Sequence, residues 1–192
     1  MIGWLAPLSA ATKTLLIVGD SLSAAYGIEV SAGWVAQLQH RLIQNRLDYQ
    51  IVNASISGDT TANGLARLPG LLDAHHPRIV VIELGGNDGL RGLSLPEMQH
   101  NIKTMVEKAR SRGAQVLLLG IRLPPNYGKT YTERFQHVYE DVARDSKVPL
   151  VPFILEGIAT DRTLMQADGL HPDAVAQRKM LEYVWAKLQS ML

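Results

Sequence analysis

Three side chains of this sequence have the types and spacing of a nucleophile and the groups that activate it. Asp168 lies three residues before His171, so on one turn its carboxylate can accept a hydrogen bond from one nitrogen of the imidazole ring. That bond would fix the tautomer and leave the other ring nitrogen free to take a proton. Ser21 directly follows an apolar run, and small residues around it leave room for a tight turn. The pattern predicts hydrolysis by a nucleophilic serine.

Hydrolysis by a serine also needs donors for the negative charge that develops on the substrate oxygen. The backbone N–H of Ser21 is one candidate. Gly58 is a second, because the lack of a Cβ allows its backbone to approach a ligand closely. The side-chain amide of Asn87 is a third. No G-x-S-x-G motif occurs in the chain, so the pattern of the α/β-hydrolases is not met.

Short apolar runs alternate with amphipathic segments along the chain. Five runs are rich in Ile, Val and Leu and are continuous, which is typical of parallel strands buried on both faces. These predicted strands are Thr14–Val18, Gln50–Ala54, Arg78–Leu84, Gln115–Ile121 and Pro149–Leu155. We therefore predict an α/β fold, a three-layer α/β/α sandwich around a five-stranded parallel sheet. In such a sheet the ligand site lies at the carboxyl ends of the strands, where the polar segments of this chain gather.

Several residues mark expected helix ends. Ser94 with Glu97 forms a candidate capping box, and Gly113 lies where a helix-terminating glycine belongs. We expect Pro69 to interrupt the helix that contains it. We expect Pro172 to begin the last helix at a favoured first-turn position, which would hold the preceding histidine in a rigid loop.

Composition excludes several classes of protein. The chain has 192 residues, 46% of them hydrophobic, which suits one domain with a sizeable core. Lys and Arg total 19 against 18 Asp and Glu, so no basic surface favours nucleic acid. The absence of cysteine excludes disulfides, zinc–thiolate sites and a cysteine nucleophile. His75 and His76 have no third ligand at metal spacing.

The first eleven residues are apolar and end in small residues. They resemble the end of a signal peptide, although the apolar stretch is not preceded by the usual Lys or Arg. We expect residues 1–11 to be a leader or a signal-peptide remnant, and the protein to be periplasmic or secreted. The alternative is a disordered leader on a cytosolic protein. No later run is long enough to cross a bilayer, so no stable membrane insertion is expected.

Four blocks of the sequence resemble, in order and spacing, those of the SGNH (GDSL) hydrolases. The blocks are Gly19-Asp20-Ser21-Leu22-Ser23, the glycine Gly58, Gly85-Gly86-Asn87-Asp88, and Asp168-x-x-His171. The similarity extends from about Thr14 to the last residue. It is strongest to bacterial members with thioesterase and lysophospholipase activity, through the segments Leu15–Ser23, Gly85–Gly92 and Ile121–Gly128.

The resemblance implies a flavodoxin-like SGNH hydrolase fold over residues 12–192 and a role for each site residue. Ser21 would be the nucleophile, His171 the base and Asp168 its orienting partner. The amides of Ser21 and Gly58 and the side chain of Asn87 would form the oxyanion hole. The residues implied in substrate binding are Gly89, Leu90, Leu93, Leu123, Pro124, Pro125 and Tyr127.

The resemblance also implies action on small-molecule esters and thioesters of apolar acyl groups, with no metal and no cofactor. The near-neutral charge and the lack of an obvious exposed apolar helix face favour a monomer. Two other functions stay open: a carbohydrate acetylesterase on the same fold, and a non-catalytic flavodoxin-like binding module. The second lacks a G-x-G-x-x-G or Walker loop after any strand. Locally, Ser21 could cap a helix, Asn87 and Asp88 could form a turn, and Asp168 could cap the last helix.

Overall fold

A parallel sheet of five strands forms the centre of the structure, a computed structural model that describes residues 12–192. The strands are β1 (Lys13–Gly19), β2 (Tyr49–Asn53), β3 (Ile79–Glu83), β4 (Gln115–Leu119) and β5 (Leu150–Val151). Their order across the sheet is β2-β1-β3-β4-β5, and every neighbouring pair is parallel. The predicted leader at residues 1–11 lies outside the described residues.

Within residues 12–192, six α-helices accompany the sheet, the last of them after the final strand. They are α1 (Trp34–Gln44), α2 (Thr61–His75), α3 (Gly86–Leu90), α4 (Leu95–Ser111), α5 (Lys129–Ser146) and α6 (Gln177–Leu188). Helix α4 packs against α2 and α5, while α1 packs against α6. The predicted α/β architecture is confirmed. No helix within residues 12–192 is long and apolar enough to cross a lipid bilayer.

The sheet forms because its strands are apolar on both faces. All five residues of β3 are buried, and so are the last six residues of β1. The fifth strand is shorter than the predicted run 149–155, since only Leu150 and Val151 pair with β4. The regular register ends after Val151, because the carbonyl oxygen of Gly120 accepts the N–H of Ile154 at 3.0 Å and not that of Phe153.

Two expectations about proline are wrong. Pro69 does not interrupt α2, which runs through it without a break. Burial of Leu68 and Leu72 in the core holds the helix despite the missing N–H. Pro172 does not begin the last helix, which starts at Gln177. Pro172 instead pairs with Met165 in an isolated antiparallel bridge.

The predicted ends of α4 are found, with one difference. Ser94 is the N-cap, and its side chain accepts a hydrogen bond from the N–H of Glu97 at 3.3 Å. The reciprocal bond of a full capping box is formed instead at α2, between Thr60 and Asn63. Gly113 follows the last turn of α4 with a φ of 80°.

Candidate active site

Ser21 lies in the turn that follows β1, at the carboxyl end of the sheet. The N–H of Tyr26 donates to the carbonyl oxygen of Ser21 at 3.2 Å, and the N–H of Ala24 donates to that of Asp20 at 3.0 Å. These bonds close the turn on both sides of the serine. Since α1 begins only at Trp34, Ser21 is not the N-cap of a helix.

The side chain of His171 lies between those of Ser21 and Asp168. Nε2 of His171 is 2.8 Å from Oγ of Ser21, and Nδ1 is 2.6 Å from Oδ2 of Asp168. An ionised carboxylate can only accept, so Nδ1 carries the proton and Nε2 accepts the hydrogen bond of the serine hydroxyl. This is the geometry in which an imidazole can remove the proton of a serine.

Asp168 is held in place by its own loop. Its Oδ1 accepts the backbone N–H groups of Leu170 at 2.9 Å and His171 at 3.0 Å. Burial acts to raise the pKa of Asp168, but the hydrogen bonds from the ring and the N–H of His171 and from Leu170 outweigh it and lower the pKa to about 2. Asp168 is therefore ionised at neutral pH.

Asp168 does not cap the last helix. The N-cap of that helix is Ala176, which makes no side-chain cap hydrogen bond, and Oδ1 of Asp173 accepts the N–H of Ala176 at 3.0 Å in the turn before the helix. The ring of Tyr26 lies against the imidazole of His171, with the two centroids 4.5 Å apart and the planes inclined by 39°. The sequence analysis missed Tyr26, because nothing in the spacing of residues relates position 26 to position 171.

Two of the three expected oxyanion donors are free to donate. Within residues 12–192, no protein group accepts a hydrogen bond from the N–H of Ser21 or of Gly58. Gly58 has a φ of 87°, a conformation that favours glycine, in the loop after β2. Its carbonyl oxygen accepts a bond from Nη2 of Arg91 at 3.0 Å.

The third expected donor, Asn87, is already engaged. Its Nδ2 donates to Oδ2 of Asp20 at 3.2 Å and to the carbonyl oxygen of Asp59 at 3.0 Å. Both hydrogens of the amide therefore have acceptors, and one bond must be shared or exchanged if Asn87 is to donate to a substrate. Asn87 lies in the short helix α3, so its segment is not a simple turn.

Asp88, the next residue, links two helices through hydrogen bonds. Its carboxylate accepts hydrogen bonds from the backbone N–H of Thr61 at 2.8 Å and from the hydroxyl of Thr61 at 2.5 Å. Thr61 is the first residue of α2. Asp88 thus joins α3 to the start of α2 and is not directed at Ser21.

Two buried carboxyl groups, those of Asp20 and Glu83, lie where β1 and β3 end. Oε2 of Glu83 accepts bonds from the hydroxyl of Ser23 at 2.7 Å and from the N–H of Asp20 at 3.3 Å. Burial raises the pKa of Asp20 to about 6, although the N–H of Leu22 and the charge of His171 lower it.

Burial, together with the charge of Asp20, raises the pKa of Glu83 well above its ordinary value. Glu83 is fully buried, and its Oε1 has no partner within the described residues. Burial therefore favours the neutral acid of Glu83 over its carboxylate. No role was predicted for this residue, although an acid inside an otherwise apolar strand is the signal that could have found it.

A cavity of about 540 Å³ opens beside Ser21 and His171. Of the residues expected to bind substrate, four line it: Leu90, Leu123, Pro124 and Pro125. Three do not: Gly89 is buried next to Phe135, Leu93 is exposed, and the hydroxyl of Tyr127 donates to the carbonyl oxygen of Leu90 at 3.2 Å.

Part of the cavity wall was not predicted, because the whole run 149–155 was interpreted as a strand. Phe153 and Leu155, which follow the short β5, line the cavity with Glu156. Arg122 also lines it, with its guanidinium 5.1 Å from the ring centroid of Phe153 and 3.3 Å from Oε2 of Glu156. Within residues 12–192, no three His, Asp or Glu side chains gather as a metal site would require.

Comparisons with known proteins agree on one family. The profile described as the GDSL-like Lipase/Acylhydrolase family matches residues 17–179. The chain is 58% identical over 183 residues to "Esterase TesA" of Pseudomonas aeruginosa, covering 95% of this chain and 91% of the relative. It is 44% identical over 184 residues to "Thioesterase 1/protease 1/lysophospholipase L1" of Escherichia coli K12, covering 96% and 87%. A crystal structure of TesA superposes with a TM-score of 0.92 at 58% identity, over 94% of this chain and 100% of that one.

Proposed function

Because this chain belongs to the GDSL-like lipase/acylhydrolase family and is an ester-cleaving hydrolase, we propose that Ser21 is its nucleophile and that acyl esters and thioesters are its substrates. The observation that carries the proposal is the 2.8 Å separation between Oγ of Ser21 and Nε2 of His171, with Asp168 2.6 Å from the other ring nitrogen. The N–H groups of Ser21 and Gly58, which have no acceptor within residues 12–192, support it further.

In the first half of the reaction, Oγ of Ser21 attacks the acyl carbonyl carbon while Nε2 of His171 takes the hydroxyl proton. The carbonyl oxygen becomes negatively charged and accepts hydrogen bonds from the N–H groups of Ser21 and Gly58. Asn87 adds a third bond by exchanging one of its present acceptors. The intermediate then collapses, and the imidazolium gives its proton to the departing alcohol or thiol.

In the second half, a water molecule attacks the acyl group on Ser21 and gives a proton to His171. The second tetrahedral intermediate releases the carboxylic acid, and the proton returns to Oγ. Throughout, Asp168 stays ionised and stabilises the imidazolium, because its pKa lies near 2. No step requires a group beyond these residues and water.

The cavity supports acyl groups longer than acetyl. Its volume of about 540 Å³ and its apolar residues, among them Ile121, Leu123 and Leu155, suit a hydrocarbon chain. An acetyl group would leave most of that volume unfilled. The names of the relatives add thioesters and lysophospholipids to the proposed substrates, since the same attack on a carbonyl serves each leaving group.

The test is the initial rate on p-nitrophenyl esters from acetate to palmitate, and on palmitoyl-CoA. It compares the native chain with Ser21→Ala and with the exposed control Ser111→Ala. We expect medium and long acyl chains to be preferred and Ser21→Ala to lose essentially all turnover, while the control keeps its rate. A fluorophosphonate should label the native chain once, at Ser21, and should not label Ser21→Ala.

Two outcomes would change the proposal. Activity confined to acetate would keep Ser21 as the nucleophile and favour the carbohydrate acetylesterase. Full turnover by Ser21→Ala would overturn the assignment of the nucleophile.

The proposal extends to location and assembly. The apolar composition of residues 1–11 supports a periplasmic or secreted location. The test is to fuse that segment to alkaline phosphatase and to measure the activity of the exported reporter. Among the exposed large apolar side chains of residues 12–192, only Ile43 lies on an α-helix, which supports a monomer. Light scattering should then give a mass near 21.1 kDa.

A further inference from the structure

The two loops that meet at the active site come from distant parts of the chain. Ser21 follows β1, whereas His171 precedes α6 by six residues, and 150 residues separate the two. Asp168 cannot fix the distance between them, because it belongs to the same loop as His171 and orients the ring within that loop. The 2.8 Å between Oγ and Nε2 therefore depends on contacts that join one loop to the other.

Gln166 makes such a contact with its side chain. Its Nε2 donates one hydrogen bond to the carbonyl oxygen of Tyr26 at 2.8 Å and another to the carbonyl oxygen of Pro172 at 3.0 Å. Tyr26 belongs to the turn of Ser21, to whose carbonyl oxygen its own N–H donates. Pro172 directly follows His171. One amide group thus bridges the loop of the nucleophile and the loop of the base.

The backbone of Gln166 is fixed at the same place. Its N–H donates to the carbonyl oxygen of His171 at 2.8 Å, and its carbonyl oxygen accepts the N–H of Gly169 at 2.9 Å. The neighbouring Met165 forms the antiparallel bridge with Pro172. The side chain of Gln166 therefore extends from a backbone segment that cannot move independently of the imidazole of His171.

The facing turn has room for this side chain only because residue 27 is glycine. Gly27 has a φ of 74°, and a Cβ added to it would overlap the side-chain amide of Gln166. Gly27 also lies one residue after Tyr26, whose carbonyl oxygen Gln166 binds. The contact therefore depends on both loops: the side chain of Gln166 is long enough to donate, and Gly27 has no side chain to block it.

We propose that Gln166 is a positioning residue for the reaction: its side-chain amide holds the loop of His171 against the turn of Ser21 and sets the distance between Nε2 and Oγ. The inference rests on the proposed function, because it assumes that Ser21 is the nucleophile. A displacement of about 1 Å between reacting groups costs on the order of 100-fold in rate. Gln166 touches neither substrate nor reacting atoms, so it acts through the geometry of the other two residues.

The test uses two variants that each keep one property of the side chain. Gln166→Met keeps the length of the side chain and removes both donated hydrogen bonds. Gln166→Asn keeps the amide donor but shortens the side chain by one methylene group. The control is Gln136→Met on α5, where a half-buried glutamine of similar exposure donates to Glu140 and does not line the cavity. kcat and KM are measured on p-nitrophenyl hexanoate, thermal unfolding by circular dichroism, and the Nδ1 proton of His171 by NMR.

We expect both Gln166 variants to lower kcat by roughly 10- to 100-fold with KM within about twofold, because ground-state binding in the cavity is untouched. The Nδ1 proton resonance should persist, since the bond between Asp168 and His171 lies inside one loop. The unfolding temperature should stay within a few degrees of that of Gln136→Met, which should keep full activity.

An unchanged kcat in Gln166→Met overturns the proposal. So does loss of the folded state in both variants, which would make Gln166 a residue for stability alone, and so does an equal loss of kcat in the control. The proposed function fails separately, through turnover by Ser21→Ala. If Ser21→Ala is inactive and Gln166→Met is fully active, only the positioning role is wrong.

Discussion

Glu83 and Asp20 carry two interacting carboxyl groups in the protein interior: the backbone N–H of Asp20 donates to Oε2 of Glu83 at 3.3 Å, each carboxyl group affects the pKa of the other, and the exposed fractions of the residues are 0% and 2%. Burial raises both pKa values, that of Asp20 to about 6. The folded state therefore binds more protons than the unfolded chain near neutral pH. This contribution to the free energy of unfolding is fully present below the ordinary pKa of 3.8 and is lost as the pH rises through about 6.

We expect Glu83→Gln to reduce that loss of stability. The amide has the shape of the neutral acid, never ionises, and can donate to the carboxylate of Asp20. Urea unfolding between pH 5 and 8 should show a smaller fall in the free energy of unfolding for the variant than for the native chain. The exposed Glu107→Gln should follow the native chain. Parallel curves for all three proteins would contradict the raised pKa of Glu83.

Asp168→Asn tests the tautomer of the imidazole. Asparagine can still accept the N–H groups of Leu170 and His171 through its oxygen, which leaves its NH2 facing Nδ1. The ring must then carry its proton on Nε2, where it can no longer accept the hydroxyl of Ser21. We expect kcat to fall about 10⁴-fold with the fold intact, while the exposed Asp145→Asn keeps its rate. A loss of less than tenfold would mean that Asp168 does not orient the ring.

Asn87→Ala tests a donor that is engaged in the free enzyme. Loss of an oxyanion donor typically lowers kcat by about 10²- to 10³-fold, and KM should change little because the bond matters most in the transition state. Steady-state kinetics on p-nitrophenyl esters measure both. Thermal unfolding is measured alongside, because Asp20 and Asp59 lose a partner. Asn45→Ala, at the exposed end of α1, is the control. A kcat within twofold of native would assign Asn87 to the support of Asp20 alone.

Ile121 tests whether the cavity sets the acyl length. It lies two residues after β4, is 6% exposed and lines the cavity. We expect Ile121→Phe to shift the preference toward shorter chains, with kcat/KM falling about fourfold for each methylene that is excluded, since burial of a methylene contributes about 0.8 kcal/mol. Ile121→Ala should shift it toward longer chains. The matched control is Ile43→Phe, at an exposed position of α1. Equal effects on acetate and palmitate esters would show that the acyl chain lies elsewhere.

The fold was predictable because its signal is local. Strands buried on both faces need continuous apolar runs, and β1 and β3 have them, so their place and direction follow from the sequence. The start of the last helix was harder to predict. Pro172 pairs with Met165 in a bridge that no capping or propensity signal indicates, and α6 begins only at Gln177.

The site was predictable only as a set of residue types. The polar residues after the strands indicated Ser21, Asp168 and His171, and the structure brings them within hydrogen-bonding distance. The engagement of Asn87 with Asp20, and the raised pKa of Glu83, depend on burial and on neighbours from other strands. The acid at position 83 stands out in its apolar strand, but its contact with Asp20, 63 residues away, has no spacing by which sequence reasoning could find it.

The long separation between Ser21 and His171 has a consequence for biosynthesis. Translation at about 5–20 residues per second places the serine in the growing polypeptide roughly 8 to 30 seconds before the histidine. During that interval the hydroxyl has no base and is a weak nucleophile. A ribosome-bound or prematurely terminated product that lacks the loop before α6 is therefore hydrolytically inert, and recovery of esterase activity during refolding reports the docking of that loop.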